Sequence, residues 1–158
     1  MSEQKATILV VDDEEMVTSA LRSFLQLEAT YRVLTFTSPL EALDTTDSEL
    51  IDLVIADFMM PEMDGITFLK AVREKRPEAT RILLTGYADK ENAIRAINEA
   101  GLYYYLEKPW DNDHLLVVVR NGIERAGLVK ELQARAAELE SAHEDLAGFR
   151  KRLMQALL

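Results

Sequence analysis

The sequence predicts an α/β fold in which five parallel strands form one doubly wound sheet, followed by an extended C-terminal helix. The first observation is that residues 1–125 alternate short runs rich in Val, Ile and Leu with segments whose apolar residues recur at helical spacing. Continuous apolar runs are typical of strands buried in a parallel sheet, and their alternation with helices predicts right-handed crossovers. The second observation is that no proline follows Pro109, so the last segment can form one long helix.

Five runs are predicted to be the strands, and the segments between them are predicted to be helices. The strands are expected at residues 8–11, 33–36, 53–56, 81–84 and 103–106. Residues 16–27 carry apolar side chains at helical spacing. Ser38 is expected to cap the second helix, with Pro39 at its first position. The third helix should stop before Pro77, and Gly101 suits the end of the fourth.

The last helix is predicted to begin near Asp111 or Asn112 and to continue into a coiled coil. At 1.5 Å per residue it would run about 70 Å, which is too long for one small domain to cover. Leucines at every seventh residue form a heptad seam: Leu132, Leu139, Leu146 and Leu153. Two registers remain open, with the other core positions either Val129, Ala136, His143, Arg150 and Leu157 or Leu128, Arg135, Ala142, Phe149 and Ala156. We predict one domain at 1–125 and, at 126–158, a helical coiled-coil extension that forms a parallel homodimer.

The composition is that of a folded, acidic protein. Hydrophobic residues make up 48% of the chain, and the formal net charge is -10. Residues 121–158 hold six acidic and six basic residues, so the whole negative excess lies in residues 1–120. This charge argues against direct binding to nucleic acid or to an anionic membrane. The chain has no cysteine and its first residues lack the apolar core of a signal peptide, so we expect a cytoplasmic protein.

Polar residues stand where four of the predicted strands end. Asp12 and Asp13 follow the first strand, Asp57 the third and Thr85 the fourth, while Lys108 comes just after the fifth and before Pro109. Ligand sites of open parallel sheets lie at the carboxyl ends of the strands, so these side chains should converge. Three carboxylates suit a hard cation such as Mg²⁺, and the lysine and the hydroxyl can hold an anion. Each residue alone could be a cap or a turn residue, but together they predict metal-assisted phosphoryl transfer to Asp57.

Four motifs resemble the receiver domain of two-component response regulators. They are VVDDE at 10–14, DFMMPEMDG at 57–65, LTGY at 84–87 and KPW at 108–110. The motifs stand in the order and at the spacing of that family, and the resemblance covers residues 6 to about 125. It implies a flavodoxin-like fold and phosphorylation of Asp57 by a histidine kinase or a phosphotransfer protein. It further implies a signalling protein whose only chemistry is self-phosphorylation and self-dephosphorylation, not an enzyme acting on a substrate.

The resemblance also implies a metal site and a switch. Mg²⁺ would be bound by Asp13, Asp57 and the backbone carbonyl of Met59, with Asp12 assisting. The switch pair would be Thr85, which moves toward the phosphoryl group, and Tyr105, which turns inward behind it.

Two positions are implied to tune the lifetime of the phosphoryl group. They are Met59 and Tyr87, which in the family flank the path of the hydrolytic water. Neither side chain carries a carboxylate or an amide to orient that water, so we predict slow self-dephosphorylation and a need for a separate phosphatase.

Several outputs remain open. The chain could be a phosphorylation-controlled interaction or dimerisation module. It could instead be the N-terminal regulatory part of a larger regulator with a cyclic-dinucleotide phosphodiesterase, protein phosphatase or transcription-activator output. A DNA-binding regulator is less favoured, since residues 121–158 contain no helix-turn-helix pattern. Outside this family, Asp57 could be the nucleophile of a small-molecule phosphatase or phosphotransferase, although the sequence has no insertion large enough for a substrate lid.

Overall fold

The computed structural model, which describes residues 5–28, 30–86 and 90–157, has the predicted α/β architecture. Its elements are β1 (Thr7–Val11), α1 (Glu15–Glu28), β2 (Arg32–Phe36), α2 (Pro39–Ser48), β3 (Leu53–Asp57), α3 (Gly65–Lys75), β4 (Thr80–Thr85), α4 (Lys90–Ala100), β5 (Tyr104–Glu107) and α5 (Asn112–Leu157). All strand pairs are parallel, in the order β2-β1-β3-β4-β5. The prediction of a five-stranded, doubly wound, flavodoxin-like sheet with an extended C-terminal helix is confirmed.

The sheet is buried on both faces because side chains alternate between two apolar layers. In β1, Leu9 and Val11 pack into the core cluster that also holds Phe68 of α3. Ile8 and Val10, between them, pack into the opposite cluster. Successive side chains of a strand point to opposite faces, so a strand covered on both sides is apolar along most of its length. This is the physical reason for the uninterrupted apolar runs in the sequence.

The first turns of α5 lie very close to the sheet, and a glycine makes this approach possible. A Cβ atom added to Gly122 would lie 2.6 Å from Cδ1 of Leu53 in β3 and 3.1 Å from Cγ2 of Thr80 in β4. The Thr80 hydroxyl donates a hydrogen bond of 2.6 Å to the Gly122 carbonyl. The Arg125 side chain then donates to the same Thr80 hydroxyl at 3.4 Å. The lack of a side chain at Gly122 lets this part of α5 lie close to β4, and the hydrogen bond from Thr80 holds it there.

The ends of the elements follow most of the predicted signals. The Ser38 hydroxyl caps α2, and Gly101 has a positive φ of 61° directly after α4. The fifth strand was predicted at 103–106 but lies one residue later, at Tyr104–Glu107. Asp57 and Thr85 were predicted to follow their strands, but each is the last residue of one, because the parallel ladders continue through both positions.

The last helix is capped by Asp111, one of the two predicted capping residues. A carboxylate oxygen of Asp111 accepts a hydrogen bond from the backbone N–H of Asp113 at 3.1 Å, and its carbonyl accepts one from the backbone N–H of Leu115.

The chain divides into two compact units, Met1–Ala126 and Gly127–Leu158. Among the described residues, none of the helices combines the length and apolar content needed to cross a membrane.

Candidate functional site

Three carboxylates meet at the carboxyl edge of the sheet, as predicted. β1 and β3 are neighbours whose last paired residues are Val11 and Ala56, so the residues that follow them lie side by side. Carboxylate oxygens of Asp12, Asp13 and Asp57 all lie within 4.8 Å of one another. Three negative charges at this separation repel one another strongly unless a cation lies between them.

Two hydrogen bonds hold the Asp12 side chain in place. Its Oδ1 accepts from the backbone N–H of Glu14 at 2.9 Å, and its Oδ2 accepts from Nζ of Lys108 at 2.9 Å. Asp12 is fully buried, whereas Asp13 is exposed at the mouth of the site. The Asp13 carboxylate is therefore the one that an arriving ion meets first, and Asp12 forms the inner wall.

The Lys108 ammonium is shared between two of the three acids. Its Nζ lies 2.9 Å from Oδ2 of Asp12 and 3.2 Å from Oδ1 of Asp57. The backbone places it there, because the N–H of Lys108 donates to the Thr85 carbonyl at 2.8 Å and so extends the β4–β5 ladder past the end of β5. The peptide bond from Lys108 to Pro109 is cis.

The pKa values of the side chains in the site are shifted by burial and by the neighbouring charges. Burial, followed by the charge of Asp12, raises the pKa of Asp57 to about 6, against the opposing effect of Lys108. Burial also raises the pKa of Asp12. Burial disfavours the Lys108 ammonium, but its hydrogen bond to Asp12 and the charge of Asp57 outweigh that effect and raise the pKa of Lys108. One ammonium does not balance three carboxylates, so the donor set fits an additional hard cation.

The loop after Asp57 depends on a residue that the sequence analysis did not single out. A Cβ atom on Gly65 would lie 2.3 Å from the Asp57 carbonyl oxygen, so only glycine fits at this position. The Gly65 N–H donates to the Phe58 carbonyl at 2.8 Å, and Asp64 caps α3 by accepting from the backbone N–H of Thr67. The Asp-Gly pair just before a helical pattern was the available signal.

The two residues of the predicted switch lie on neighbouring strands. Thr85 is fully buried at the end of β4, and its hydroxyl donates to the Leu106 carbonyl at 3.5 Å, the limit of hydrogen-bond length. Tyr105 is half-buried beside Leu83 and packs against the core cluster of its face. Its ring stacks on Tyr104 with centroids 6.2 Å apart. The movement of this pair remains a prediction.

The structure describes Met59, one of the two residues predicted to tune the phosphoryl lifetime. The Met59 side chain is 66% exposed and lines an open cleft with Asp13. It carries no hydrogen-bonding group stronger than a thioether sulfur. Tyr87 lies outside the described residues. The role of the Met59 carbonyl as a metal ligand also remains a prediction.

Comparison with known proteins identifies the family of the domain. The family model described as "Response regulator receiver domain" matches residues 8–120. The hydrogenase transcriptional regulatory protein HoxA of Cupriavidus necator is 42% identical over 142 residues, which cover 90% of this chain and 29% of that protein. The DNA-binding transcriptional regulator NtrC of Escherichia coli K12 is 29% identical over 145 residues, which cover 92% of this chain and 30% of that protein.

The solved structures agree. The signal receiver domain of an HD domain-containing protein from Pseudomonas fluorescens Pf-5 has a TM-score of 0.74 and 36% identity, over 78% of this chain and 98% of that one. The chain spans only about 30% of the length of the two curated relatives. Both are named as transcriptional regulators and one as DNA-binding, so the expectation that nucleic acid is not a partner finds no support in them.

Proposed function

The chain belongs to the response regulator receiver family, and on that basis we propose that Asp57 accepts a phosphoryl group from a histidine kinase or a phosphotransfer protein. Receiver domains are phosphoacceptor signalling domains that such partners phosphorylate. The observation that carries the proposal is the Lys108 ammonium shared between Asp12 and Asp57 in a three-acid cluster. A lysine in that position holds Asp57 and can pair with an oxygen of the arriving phosphoryl group.

The transfer itself requires positioning and charge neutralisation more than covalent chemistry. A carboxylate oxygen of Asp57 attacks the phosphorus of a phosphohistidine and forms the P–O bond of an acyl phosphate. The P–N bond breaks, and its electron pair returns to the imidazole nitrogen, which takes up a proton. Lys108 then changes from a partner of the Asp57 carboxylate to a partner of a phosphoryl oxygen, and the Thr85 hydroxyl at the end of β4 is a further donor.

Receiver domains generally bind Mg²⁺ at an acidic site, and we propose that Asp12, Asp13 and Asp57 do so here. The backbone carbonyl of Met59 would complete the protein's share of the ligands. The raised pKa of Asp57 supports this assignment, because burial and the charge of Asp12 both disfavour its ionised form, which a bound cation would favour. A bound Mg²⁺ would supply the positive charge that lets all three acids ionise and draws in the phosphoryl oxygens.

We propose that the signal leaves the site through Thr85 and Tyr105. A new phosphoryl group offers the Thr85 hydroxyl a charged acceptor in place of its 3.5 Å bond to the Leu106 carbonyl. Movement of Thr85 would open space for Tyr105, which is already half-buried against the core. We also propose that the phosphoryl group is lost slowly, because Met59 and Tyr87, at the two positions that flank the water path in the family, carry no carboxylate or amide.

The output we favour is transcriptional regulation by a larger protein of which this chain is the receiver part. The similarity to HoxA covers 90% of the chain, so it extends past residue 126 into the second unit. Part of the helical extension therefore belongs to what the two proteins share. We further propose that residues 126–158 pair two copies of the chain, that residues 1–125 form the receiver and that the protein acts in the cytoplasm. The chain would have no enzymatic activity beyond its own phosphorylation and dephosphorylation.

The test is phosphorylation of the chain by acetyl phosphate with and without Mg²⁺, measured as the mass of the intact protein. We expect a gain of one phosphoryl group that requires Mg²⁺ and is absent in Asp57→Asn. Asp44→Asn, which changes an exposed acid of α2, is the matched control and should be labelled normally. Labelling of Asp57→Asn, or continuous release of phosphate from small phosphate esters, would contradict the assignment and favour a phosphatase.

A further inference from the structure

The second unit has an apolar stripe that is exposed in the described part of the chain. From residue 131 to 157 every described side chain is exposed. Leu132, Leu139, Leu146 and Leu153 are each at least half exposed, and so is Phe149. A single helix cannot bury such a stripe, and the heptad spacing of the leucines fits a helix of the same kind.

The four leucines can take part in two different coil registers. In the first, which we call the Phe149 register, the other core positions are Leu128, Arg135, Ala142, Phe149 and Ala156. In the second, the Arg150 register, they are Val129, Ala136, His143, Arg150 and Leu157. The Phe149 register has one charged core residue, Arg135, and the Arg150 register has two polar ones, His143 and Arg150.

The residues that flank the core distinguish the two registers. In a parallel pair the flanking position g of one helix faces position e of the other, five residues further on. In the Phe149 register this brings Glu138 of one copy to His143 of the second copy, and Asp145 to Arg150 of the second copy. The two residues that disrupt the Arg150 register thus become flanking residues opposite acids.

The Arg150 register has fewer complementary charge pairs between the two helices. Its one complementary flanking pair is Arg135 with Glu140 of the second copy, while His143 and Arg150 would lie in the core. Arg135 causes less difficulty in the Phe149 register, since its guanidinium already pairs with Glu131 of the same helix at 3.1 Å. That pair can persist at the edge of the core because a long side chain can keep its charged end near water.

The charges also select the parallel orientation. In an antiparallel pair, position g faces g and position e faces e. Two antiparallel pairs keep most of residues 128–157 together, with Ala142 packed against either Leu139 or Leu146 of the second copy. Asp145 would face an acid of the second copy in both of them, Glu138 in the first and Asp145 in the second. Like charges opposite one another are unfavourable, so either arrangement loses both pairs of the parallel coil.

We propose that residues 128–157 form a parallel two-stranded coiled coil with a second copy of the chain, in the Phe149 register. Ala142 and Phe149 lie in its core, and Glu138–His143 and Asp145–Arg150 are its interchain charge pairs. The proposal rests on the homodimer proposed above and adds the register, the interchain charge pairs and a physical reason for the parallel orientation.

The test is disulfide cross-linking, which the absence of native cysteine makes direct. The matched variants are Ala142→Cys, a core position in the Phe149 register only, and Ala136→Cys, a core position in the Arg150 register only. Neither change touches a charge pair. We expect Ala142→Cys to form the covalent dimer about tenfold faster under mild oxidation, because a disulfide needs Cβ atoms about 4 Å apart. A second pair, Ala156→Cys against Leu157→Cys, should show the same preference.

Faster cross-linking of Ala136→Cys would overturn the register, and equal rates would do the same. A monomeric mass by light scattering would overturn the dimer itself. Each result is separate from the proposed function, because phosphorylation of Asp57 by acetyl phosphate is measured independently and does not require the coil.

Discussion

Replacing the phosphoacceptor should make the metal-free protein more stable. The pKa of Asp57 is raised from 3.8 to about 6, first by burial and then by the charge of Asp12. The folded state therefore binds a proton at Asp57 more tightly than the unfolded state does, and stability falls as the pH rises from about 4 to about 6. Asn resembles the protonated acid and avoids this loss. At pH 7 the rise in the pKa of Asp57 from 3.8 to about 6 corresponds to about 3 kcal/mol of added stability for Asp57→Asn.

The pH dependence separates this explanation from others. At pH 4 the wild-type carboxyl is largely protonated in the folded state, so the gain from Asp57→Asn should shrink to about 0.5 kcal/mol. Urea denaturation followed by circular dichroism, in chelator at both pH values, gives the two differences. Asp44→Asn controls for the general reduction of net charge. Mg²⁺ should stabilise the wild type more than Asp57→Asn. A variant that is no more stable than wild type at pH 7 would refute the reasoning.

Three further predictions concern packing and charge. Gly65→Ala should destabilise the fold by about 3 kcal/mol, measured by thermal denaturation, because the added Cβ would clash with the backbone of Asp57. A Cβ atom at Gly127 would meet nothing within 4 Å, so Gly127→Ala should stabilise the fold by up to about 1 kcal/mol in the same assay. Arg81→Ala should cost about 3 kcal/mol, because the buried guanidinium donates to carbonyls that would lose their partner, and Arg81→Lys should recover only part of this in the same assay. Lys108→Gln should raise the pKa of Asp57 further in a metal-free NMR titration of the carboxyl group, since the ammonium lowers that pKa in the wild type. A fall in that pKa would contradict the charge balance described for the site.

The fold could be predicted from the sequence because burial on two faces leaves a strong pattern. A strand covered on both sides has few polar positions, so each apolar run predicted a strand to within about a residue at its ends. Backbone pairing between neighbouring strands determines where each strand ends. Asp57 pairs with Leu84, and Thr85 with Glu107, and the apolar pattern carries no information on such backbone pairing past its own end.

The sequence predicts which residues form the site but not the contacts that these residues make with one another. Convergence of Asp12, Asp57 and Lys108 followed from the rule that ligand sites lie at the carboxyl ends of parallel strands. The hydrogen bond between Lys108 and Asp12 joins residues 96 positions apart, and no local pattern encodes it. The need for glycine at Gly65 arises from its distance to the Asp57 carbonyl, which also exists only in three dimensions.

Charge balance gives a physical reason why phosphorylation should act as a switch here. Three carboxylates and one ammonium leave an excess of two negative charges, which a bound dication would neutralise. Replacing the Asp57 carboxylate with an aspartyl phosphate dianion adds one more negative charge at the same place. The Thr85 hydroxyl at the end of β4 is held only weakly, because its bond to the Leu106 carbonyl is 3.5 Å long. We therefore expect the added charge to draw in Thr85, and we expect Tyr105, which pairs with Leu83 two residues before Thr85, to move toward the space that Thr85 leaves.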